Sequence, residues 1–297
     1  MSKPFIALDW GTSSFRAYLV DDQGQVKDKV SAPEGIMAVQ GGNFEAVLES
    51  HIGSWDKALP LVASGMITSR QGWVECAYAE CPAGAAQLAK SLTVHKTASG
   101  REVHFITGLH YKSPSIGHDV IRGEETQVVG SLSSGAKHFV TPGTHSKWIE
   151  VEDGNVVNFA TYMTGESFAL YSQHSILGRL MNGEAANESA FKRGVEQAFA
   201  DPAGLLHALF SVRTLGLFKE VAAEALHSYL SGLLIGTEVA HATMGHDRSA
   251  DYQILSTAGL ASSYVTAMKL AGLKVSTGDP LSVIAGQREI GHAAGVI

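Results

Sequence analysis

Several features that commonly identify a protein are scarce or missing in this chain. Its 297 residues include two cysteines, Cys76 and Cys81, which excludes a disulfide framework and leaves at most one bridge. No Lys/Arg-rich run or basic stretch interleaved with aromatics occurs and the formal net charge is -7, so no nucleic-acid partner is expected. No uninterrupted apolar run is long enough to span a bilayer, and Met1-Ser-Lys-Pro4 leads straight into a strand-like run without room for a signal peptide. A cytoplasmic protein with no membrane partner is therefore expected. The 13 histidines show neither H-E-x-x-H nor paired C-x-x-C spacing, and Cys76, Cys81, His104 and His110 are too scattered to read as a zinc site. The absence of a G-x-S-x-G string argues against a hydrolase nucleophile elbow.

What is present describes a compact globular protein. Hydrophobic residues make up 45% and charged residues 17%, with no low-complexity stretch, and the length accommodates two domains of ordinary size. An anionic ligand would have to be met locally, by backbone N–H groups and a few cations, which suits a small metabolite better than a polymer.

Two stretches share one design. Phe5-Ile-Ala-Leu8 is an apolar run suited to a buried central strand, and Ala17-Tyr-Leu-Val20 resumes it after Gly11-Thr12-Ser13-Ser14. A hairpin tip of Gly, Thr and Ser can aim several N–H groups and hydroxyls at one anion, and Asp9 at the strand end can hold a hydrated divalent cation beside it. The same residues also make an ordinary tight turn, and the segment alone does not choose. The second stretch is an apolar strand over 137–141 that ends in Pro142-Gly143-Thr144-His145-Ser146-Lys147. Strands over 148–151 and 155–159 follow, joined by Asp153-Gly154. Two such βββ units could face each other across a cleft and grip different phosphates of one polyphosphate, with Lys147 either an added point charge or a solvated lysine.

Between them a helix is expected over 45–51 and a buried strand over 59–63. That strand delivers Ser64-Gly-Met-Ile-Thr-Ser-Arg-Gln-Gly-Trp-Val74 to the position where α/β proteins bind ligands. Arg70 could fork onto a substrate carboxylate or pack on Trp73 in solvent, and Tyr78 could present a hydroxyl. Residues 103–108 read as a strand and the polar segment 109–119 as a crossing between domains. Gly123-Glu124-Glu125 then opens a short amphipathic helix. Its two carboxylates can simply complement the helix dipole; alternatively, one faces a cleft as a base toward a hydroxyl while its neighbour points elsewhere. Further on, Thr164 is a candidate helix cap. Phe218, Val221, Ala222, Ala225, Leu226, Tyr229, Leu230, Leu233 and Leu234 form the stripe of one core-facing helix over 217–235, and Glu238 beyond it reads as a surface or capping group. A strand over 252–255 enters Ser256-Thr-Ala-Gly-Leu-Ala-Ser-Ser263, and a helix follows over 264–271. Small residues there let a base or ribose lie on bare backbone, or simply turn the chain.

Asp9-x-Gly-Thr-Ser-x-x-Arg16 resembles the first phosphate motif of the sugar-kinase, Hsc70 and actin superfamily, and Thr141-Pro-Gly-Thr-His-Ser-Lys147 is similar to the second. Ala258-Gly-Leu-Ala261 is similar to the adenosine motif, with Ala258 in place of the first of two usual glycines. Gly65-Met-Ile-Thr-Ser-Arg-Gln-Gly-Trp73, Arg122-Gly-Glu-Glu-Thr-Gln127, Pro142-Gly-Thr-His-Ser-Lys-Trp148 and Met163-Thr-Gly-Glu166 resemble, in order and essentially end to end, the 2-dehydro-3-deoxygalactonokinase family.

That resemblance implies an α/β, two-domain actin-like ATPase (ribonuclease H-like) fold with a nucleotide cleft between domains. Residues 1–115 would carry the first phosphate hairpin and the sugar-acid loop. Residues 116–297 would carry the catalytic carboxylate, the second hairpin and the adenosine motif, with a last helix over 280–294 returning to the first domain. It implies ATP and Mg²⁺ as cofactors. Gly11, Thr12, Ser13 and Arg16, with Gly143, Thr144, His145 and Lys147, would meet the phosphates; Gly259 and Leu260 would meet the adenosine. Asp9 would organise Mg²⁺ through water. Glu124 stands where related carbohydrate kinases carry the aspartate base of a Gly-Asp-Gln-Gln segment, and Ser69, Arg70, Trp73 and Tyr78 would join it around the substrate. The implied reaction is ATP-dependent phosphorylation of 2-dehydro-3-deoxy-D-galactonate at C6 in galactonate/galactose catabolism. Alternatives are a kinase for the gluconate-derived epimer and a non-catalytic nucleotide-binding actin-like protein. A ribokinase-type reading rests on Thr277-Gly278-Asp279, but the Gly-Ala pair that should precede Gly-Asp is missing and Pro280 removes a donor from the next helix. The sequence leaves a homodimer open.

Overall fold

The computed structural model describes residues 3–183, 185–247, 249–256 and 258–297; Thr257, in the turn expected before the adenosine motif, and Met1 and Ser2 lie outside the described residues. By internal contacts the chain forms two compact units. The first comprises Met1–Gly135, Glu150–Phe159 and Asp279–Ile297, and the second Ala136–Ile149 and Ala160–Gly278.

The first unit begins with β1 (Phe5–Trp10), β2 (Phe15–Val20) and β3 (Val26–Ala32), then α1 (Phe44–Ile52) and β4 (Leu61–Ser64). β5 (Ala79–Glu80), α2 (Ala85–Lys90), β6 (Thr93–Lys96), β7 (Glu102–Phe105), β8 (Leu109–Tyr111), β9 (Asp119–Ile121) and α3 (Glu124–Val129) follow. β1 lies between antiparallel β2 and parallel β4 in a sheet ordered β3-β2-β1-β4-β7-β6. A strand paired on both edges and covered on both faces has to be apolar almost throughout, and Phe5 to Trp10 is buried except at Asp9. Phe44, Leu48 and Ile52, one face of α1, join Ile6, Leu8, Trp10, Phe15 and Phe105 in the core. Segment 109–119, expected to cross between domains, instead supplies β8 and the approach to β9, which pair antiparallel inside the first unit.

The second sheet contains β10 (His138–Thr141), β11 (Ser146–Glu152) and β12 (Asn155–Tyr162), of which Glu150–Phe159 count with the first unit, and the helices of the second unit include α4 (Thr164–His174), α5 (Glu188–Ala200), α6 (Leu205–Leu217) and α7 (Leu226–Ala242). β13 (Asp251–Ile254), α8 (Ala258–Leu270) and β14 (Lys274–Thr277) complete it, and α9 (Ser282–Ala293) counts with the first unit. The sheet order is β12-β11-β10-β13-β14, so both sheets place their strands as third, second, first, fourth and a later strand. In each, β1 or β10 begins a meander and lies beside a parallel strand, β4 or β13. Asp153 and Gly154 both take positive φ (48° and 76°), the conformation that a two-residue hairpin turn needs.

The helix expected over 217–235 is two elements. α6 ends at Leu217, Lys219 turns left-handed (φ 58°), and α7 starts only at Leu226. Phe218, counted in the apolar stripe, is 78% exposed, whereas Leu226, Tyr229, Leu230, Leu233 and Leu234 are buried together. Apolar spacing survived the break by coincidence, because Val221 and Ala225 pack into the same core from the connection. Among the described residues no helix is long and apolar enough to cross a membrane, and Cys76 and Cys81 are both free.

One partly buried ion pair anchors the end of α1 in the first unit. Arg101, 0% exposed, donates from Nε to Glu49 at 2.8 Å and from its terminal nitrogens to the carbonyls of Ile52, Trp55 and Asp56 at 2.8–3.1 Å, closing the end of α1. Arg101→Ala is expected to cost about 1–3 kcal/mol of unfolding free energy, because it removes four hydrogen bonds made by a fully buried guanidinium, while Glu49 keeps the Ser99 hydroxyl and Lys57, and Ile52 O keeps the Trp55 N–H. A denaturant titration showing a loss below about 1 kcal/mol would refute this role.

Candidate active site

The first unit gathers two acidic positions beside a tight turn. Asp9 ends β1 and stands opposite Arg16 in the β1–β2 register, its Oδ2 3.2 Å from the guanidinium and its side chain 18% exposed. Burial pushes the Asp9 carboxyl pKa above the usual carboxylate range, Arg16 pulls against that shift, and the charge of Glu124 adds to it. In the turn, Gly11 N–H donates to Ser14 O at 2.9 Å, and the Gly11 and Thr12 carbonyls accept from Ile36 and Met37 at 3.0 and 3.4 Å. With the carbonyls tied down, the Thr12 and Ser13 N–H groups have no acceptor among the described residues, and both side chains are exposed.

α3 separates its two glutamates. Glu124 Oε2 accepts from the Arg122 N–H at 2.9 Å and the side chain stays half-buried. Glu125 is 1% exposed and accepts from Gly123 N–H at 2.7 Å and Thr126 Oγ1 at 2.8 Å; burial first, then Glu124, raise its pKa to about 7. The helix can start here because Gly123 takes φ 113° and passes close to Gly65: an added Cβ would lie 3.2 Å from the Gly65 Cα.

The loop after β4 is held by Arg122, which the sequence reading passed over. Its guanidinium donates to Thr68 O and Oγ1 at 2.5 and 2.6 Å, to Cys76 O at 3.2 Å and to Tyr78 Oη at 3.4 Å, and lies 4.2 Å over the Tyr78 ring. Tyr78 is thus already engaged by Arg122. Trp73 does not face solvent with Arg70: it stacks on Phe44 and meets His95 and Phe105 edge-on in the core, as the large aromatic surface of a loop anchor requires. Ser69 is buried with no partner for its hydroxyl among the described residues, and Arg70 is exposed. Gln287 of α9, also missed, donates to Leu8 O at 2.8 Å and Ser64 Oγ at 2.9 Å, tying the ends of β1 and β4 together. An isolated glutamine on a helix leaves no local signal of this kind. Cys76, Cys81, His104 and His110 form no metal-ligand cluster among the described residues.

The second unit holds the other small-residue turn. Gly165, at the start of α4, packs against it so closely that a Cβ there would lie 2.4 Å from Gly143 O. Glu166 N–H donates to Thr144 O at 2.9 Å, and the Glu166 carboxylate pairs with His145 Nε2 at 2.6 Å. Lys147 is buried and donates to His145 O at 2.6 Å, so it braces the turn instead of standing in solvent. Thr141 Oγ1, at the foot of the turn, is buried without a partner among the described residues. Gly259 and Leu260 lie exposed in the first turn of α8, and a Cβ on Gly259 would meet no atom of the described residues within 4 Å. Glu238, expected on the surface, is 3% exposed and accepts from Ser146, Trp148, Thr164 and Tyr264.

A sheet order used twice, each time with a Gly-Thr turn after its first strand, is the architecture of an actin-like carbohydrate kinase. The chain matches the family model for 2-keto-3-deoxy-galactonokinase over residues 9–290 and belongs to that family. It is 33% identical to an Escherichia coli 2-dehydro-3-deoxygalactonokinase, over 99% of each chain. A crystal structure described as a 2-dehydro-3-deoxygalactonokinase protein from Sinorhizobium meliloti superimposes with a TM-score of 0.90 at 34% identity, covering 97% of this chain and 98% of that one. The fold alone extends to a xylulose kinase from Lactobacillus acidophilus, at 8% identity and a TM-score of 0.51 over 99% of this chain and 90% of that one.

The buried Glu125 makes stability depend on pH. Its folded pKa of about 7 lies above the ordinary 4.5, so the folded chain holds the proton more tightly; this contribution is full below pH 4.5 and is lost as pH rises through 7. Glu125→Gln keeps the shape and removes the titration. Between pH 4.5 and 8 the stability of wild type relative to Glu125→Gln is expected to fall by on the order of 3 kcal/mol in denaturant titrations. A difference that stays flat with pH would rule out the buried acid.

Proposed function

We propose that the chain transfers the terminal phosphoryl group of ATP to the 6-hydroxyl of 2-dehydro-3-deoxy-D-galactonate, in the cytoplasm, within galactonate catabolism. Its two compact units are read as the two domains of the actin-like fold. The observation that carries this reading is the Asp9 carboxylate at the end of β1 next to a turn whose Thr12 and Ser13 N–H groups have no acceptor among the described residues. The acceptor follows the family to which the chain belongs.

The residues fit the two groups the reaction needs. In the first unit the Thr12 and Ser13 N–H groups, without acceptors among the described residues, suit phosphate oxygens, with Gly11 and Arg16 framing the turn; in the second the Thr141 hydroxyl, without a partner among the described residues, suits a phosphate and the exposed Gly259 suits adenosine, with Gly143, Thr144 and His145 framing the turn. Asp9, partly exposed and already tolerating Arg16, offers oxygens to a hydrated Mg²⁺, which when bound would neutralise phosphate charge.

Glu124 is assigned as the base that takes the acceptor's hydroxyl proton. Glu125 has the pKa commonly associated with a base, but its oxygens are occupied by Gly123 and Thr126 and it is sealed from ligand; reach comes before pKa. Ser69 and Arg70 are assigned to the acid end of the substrate, with Trp73, Tyr78 and Arg122 holding their loop. Most of the acceleration is expected from positioning and charge stabilisation, with a smaller share from the base.

A coupled ADP-release assay with the galactonate-derived acid, its gluconate-derived epimer and several aldonic acids, with and without Mg²⁺, tests the reading. Preference for the gluconate-derived epimer would overturn the acceptor, and no acid-dependent ADP release at all would overturn the kinase. Glu124→Gln should lose about 10²- to 10⁴-fold in turnover while still binding ATP, and near-normal turnover would remove it as the base. Arg70→Ala should raise KM about tenfold or more for acidic acceptors only. An equal loss with neutral sugars would count against its place at the carboxylate.

A further inference from the structure

The buried carboxylate of Glu238 has no part in the chemistry above, yet its surroundings give it a specific place. It projects from α7, and Oε1 accepts from Ser146 Oγ at 2.6 Å and Trp148 Nε1 at 2.7 Å, both at the start of β11. Oε2 accepts from Tyr264 Oη at 2.7 Å, on α8, and from Thr164 Oγ1, the first residue of α4. None of the four donors carries a charge. Burial raises the Glu238 pKa and the four hydrogen bonds oppose that shift.

Keeping an ionisable group at such a position is costly, and an apolar side chain of similar volume would fill the space at no loss of packing. What an apolar residue cannot do is accept four donors from three directions at once. The three directions correspond to three segments. Ser146 and Trp148 directly follow the Gly143–His145 turn. Thr164 sets the start of α4, whose Gly165 and Glu166 pack on Gly143 and bond Thr144. Tyr264 lies a little over one turn beyond Gly259 and Leu260 on α8.

We infer that Glu238 is a positioning residue for nucleotide binding: it holds the second phosphate turn and the adenosine end of α8 in register from beneath. The inference rests on the kinase reading. It touches neither substrate nor nucleotide, and it acts through β11, α4 and α8. Glu238→Gln is the fitting variant. The amide oxygen still accepts from Ser146 and Trp148, and the Thr164 and Tyr264 hydroxyls can reverse to accept from the amide nitrogen, so the fold has partners while the charge and the donor directions are lost.

The experiment measures ADP affinity by titration calorimetry without acceptor, KM for ATP and for the sugar acid, and Tm, on the full chain. Glu238→Gln is expected to weaken ADP binding and raise the KM for ATP about tenfold, leaving the KM for the sugar acid unchanged. A lower Tm with wild-type ADP affinity, or an equal rise in both KM values, would overturn the inference and leave Glu238 as packing. If Glu238→Gln does not fold, Tyr264→Phe decides, since it removes one donor and keeps the ring: severalfold weaker ADP binding supports the inference, unchanged binding overturns it. A wild-type chain without ADP affinity would instead overturn the kinase reading beneath it.

Discussion

A carboxylate taken out of water has to be met by donors; in this protein Asp9 and Glu125 find theirs nearby, whereas Glu49 and Glu238 draw theirs from distant parts of the chain. Glu49 is met by Arg101, Asp9 by Arg16, Glu125 by the Gly123 N–H and the Thr126 hydroxyl, and Glu238 by four groups from β11, α4 and α8. The cost of leaving any of these acids unpaired exceeds what a single hydrogen bond contributes, so the elements that carry the donors have little freedom of register. Apolar burial places β1 and β10 at the centres of their sheets; the buried acids determine how the surrounding loops and helices are attached.

Glycine makes the attachment close enough to work. α3 can begin beside Gly65 only because Gly123 has no side chain in the way, and that approach brings Glu124 within electrostatic reach of Asp9 while turning Glu125 into the interior. In the second unit Gly165 lets α4 rest on the Gly143–Thr144 backbone, which fixes the carbonyl side of the turn. In the first unit the corresponding turn has its carbonyls bonded and its N–H groups left over, the arrangement an anion requires.

The separation of the two glutamates shows why adjacent residues of one type end with different properties. Both lie in the first turn of α3, yet one stays half-buried and bonded to Arg122 N–H while its neighbour is sealed and carries a pKa near 7. About 100° of helix rotation is enough to put a side chain on the other side of the burial boundary. Arg122 then links α3 to the loop after β4, since its backbone bonds Glu124 and its side chain secures the loop from Thr68 to Tyr78.

Local pattern carried much of this in the sequence itself. The apolar runs of β1 and β4, the Asp153-Gly154 turn, the matched Gly-Thr turns at Gly11 and Gly143 and the helix starting at Glu124 all depend on neighbours a few residues away, and they were legible. The helical stripe over 217–235 misled because spacing persists across a break that Lys219 makes with its own φ. Tertiary structure alone decided the rest: that Trp73 turns into the core, that Lys147 is buried, that Gln287 reaches Leu8 across 279 positions and that Glu238 reaches Ser146 across 92. A buried polar side chain is defined by its partners, and no short window of sequence contains partners that far away.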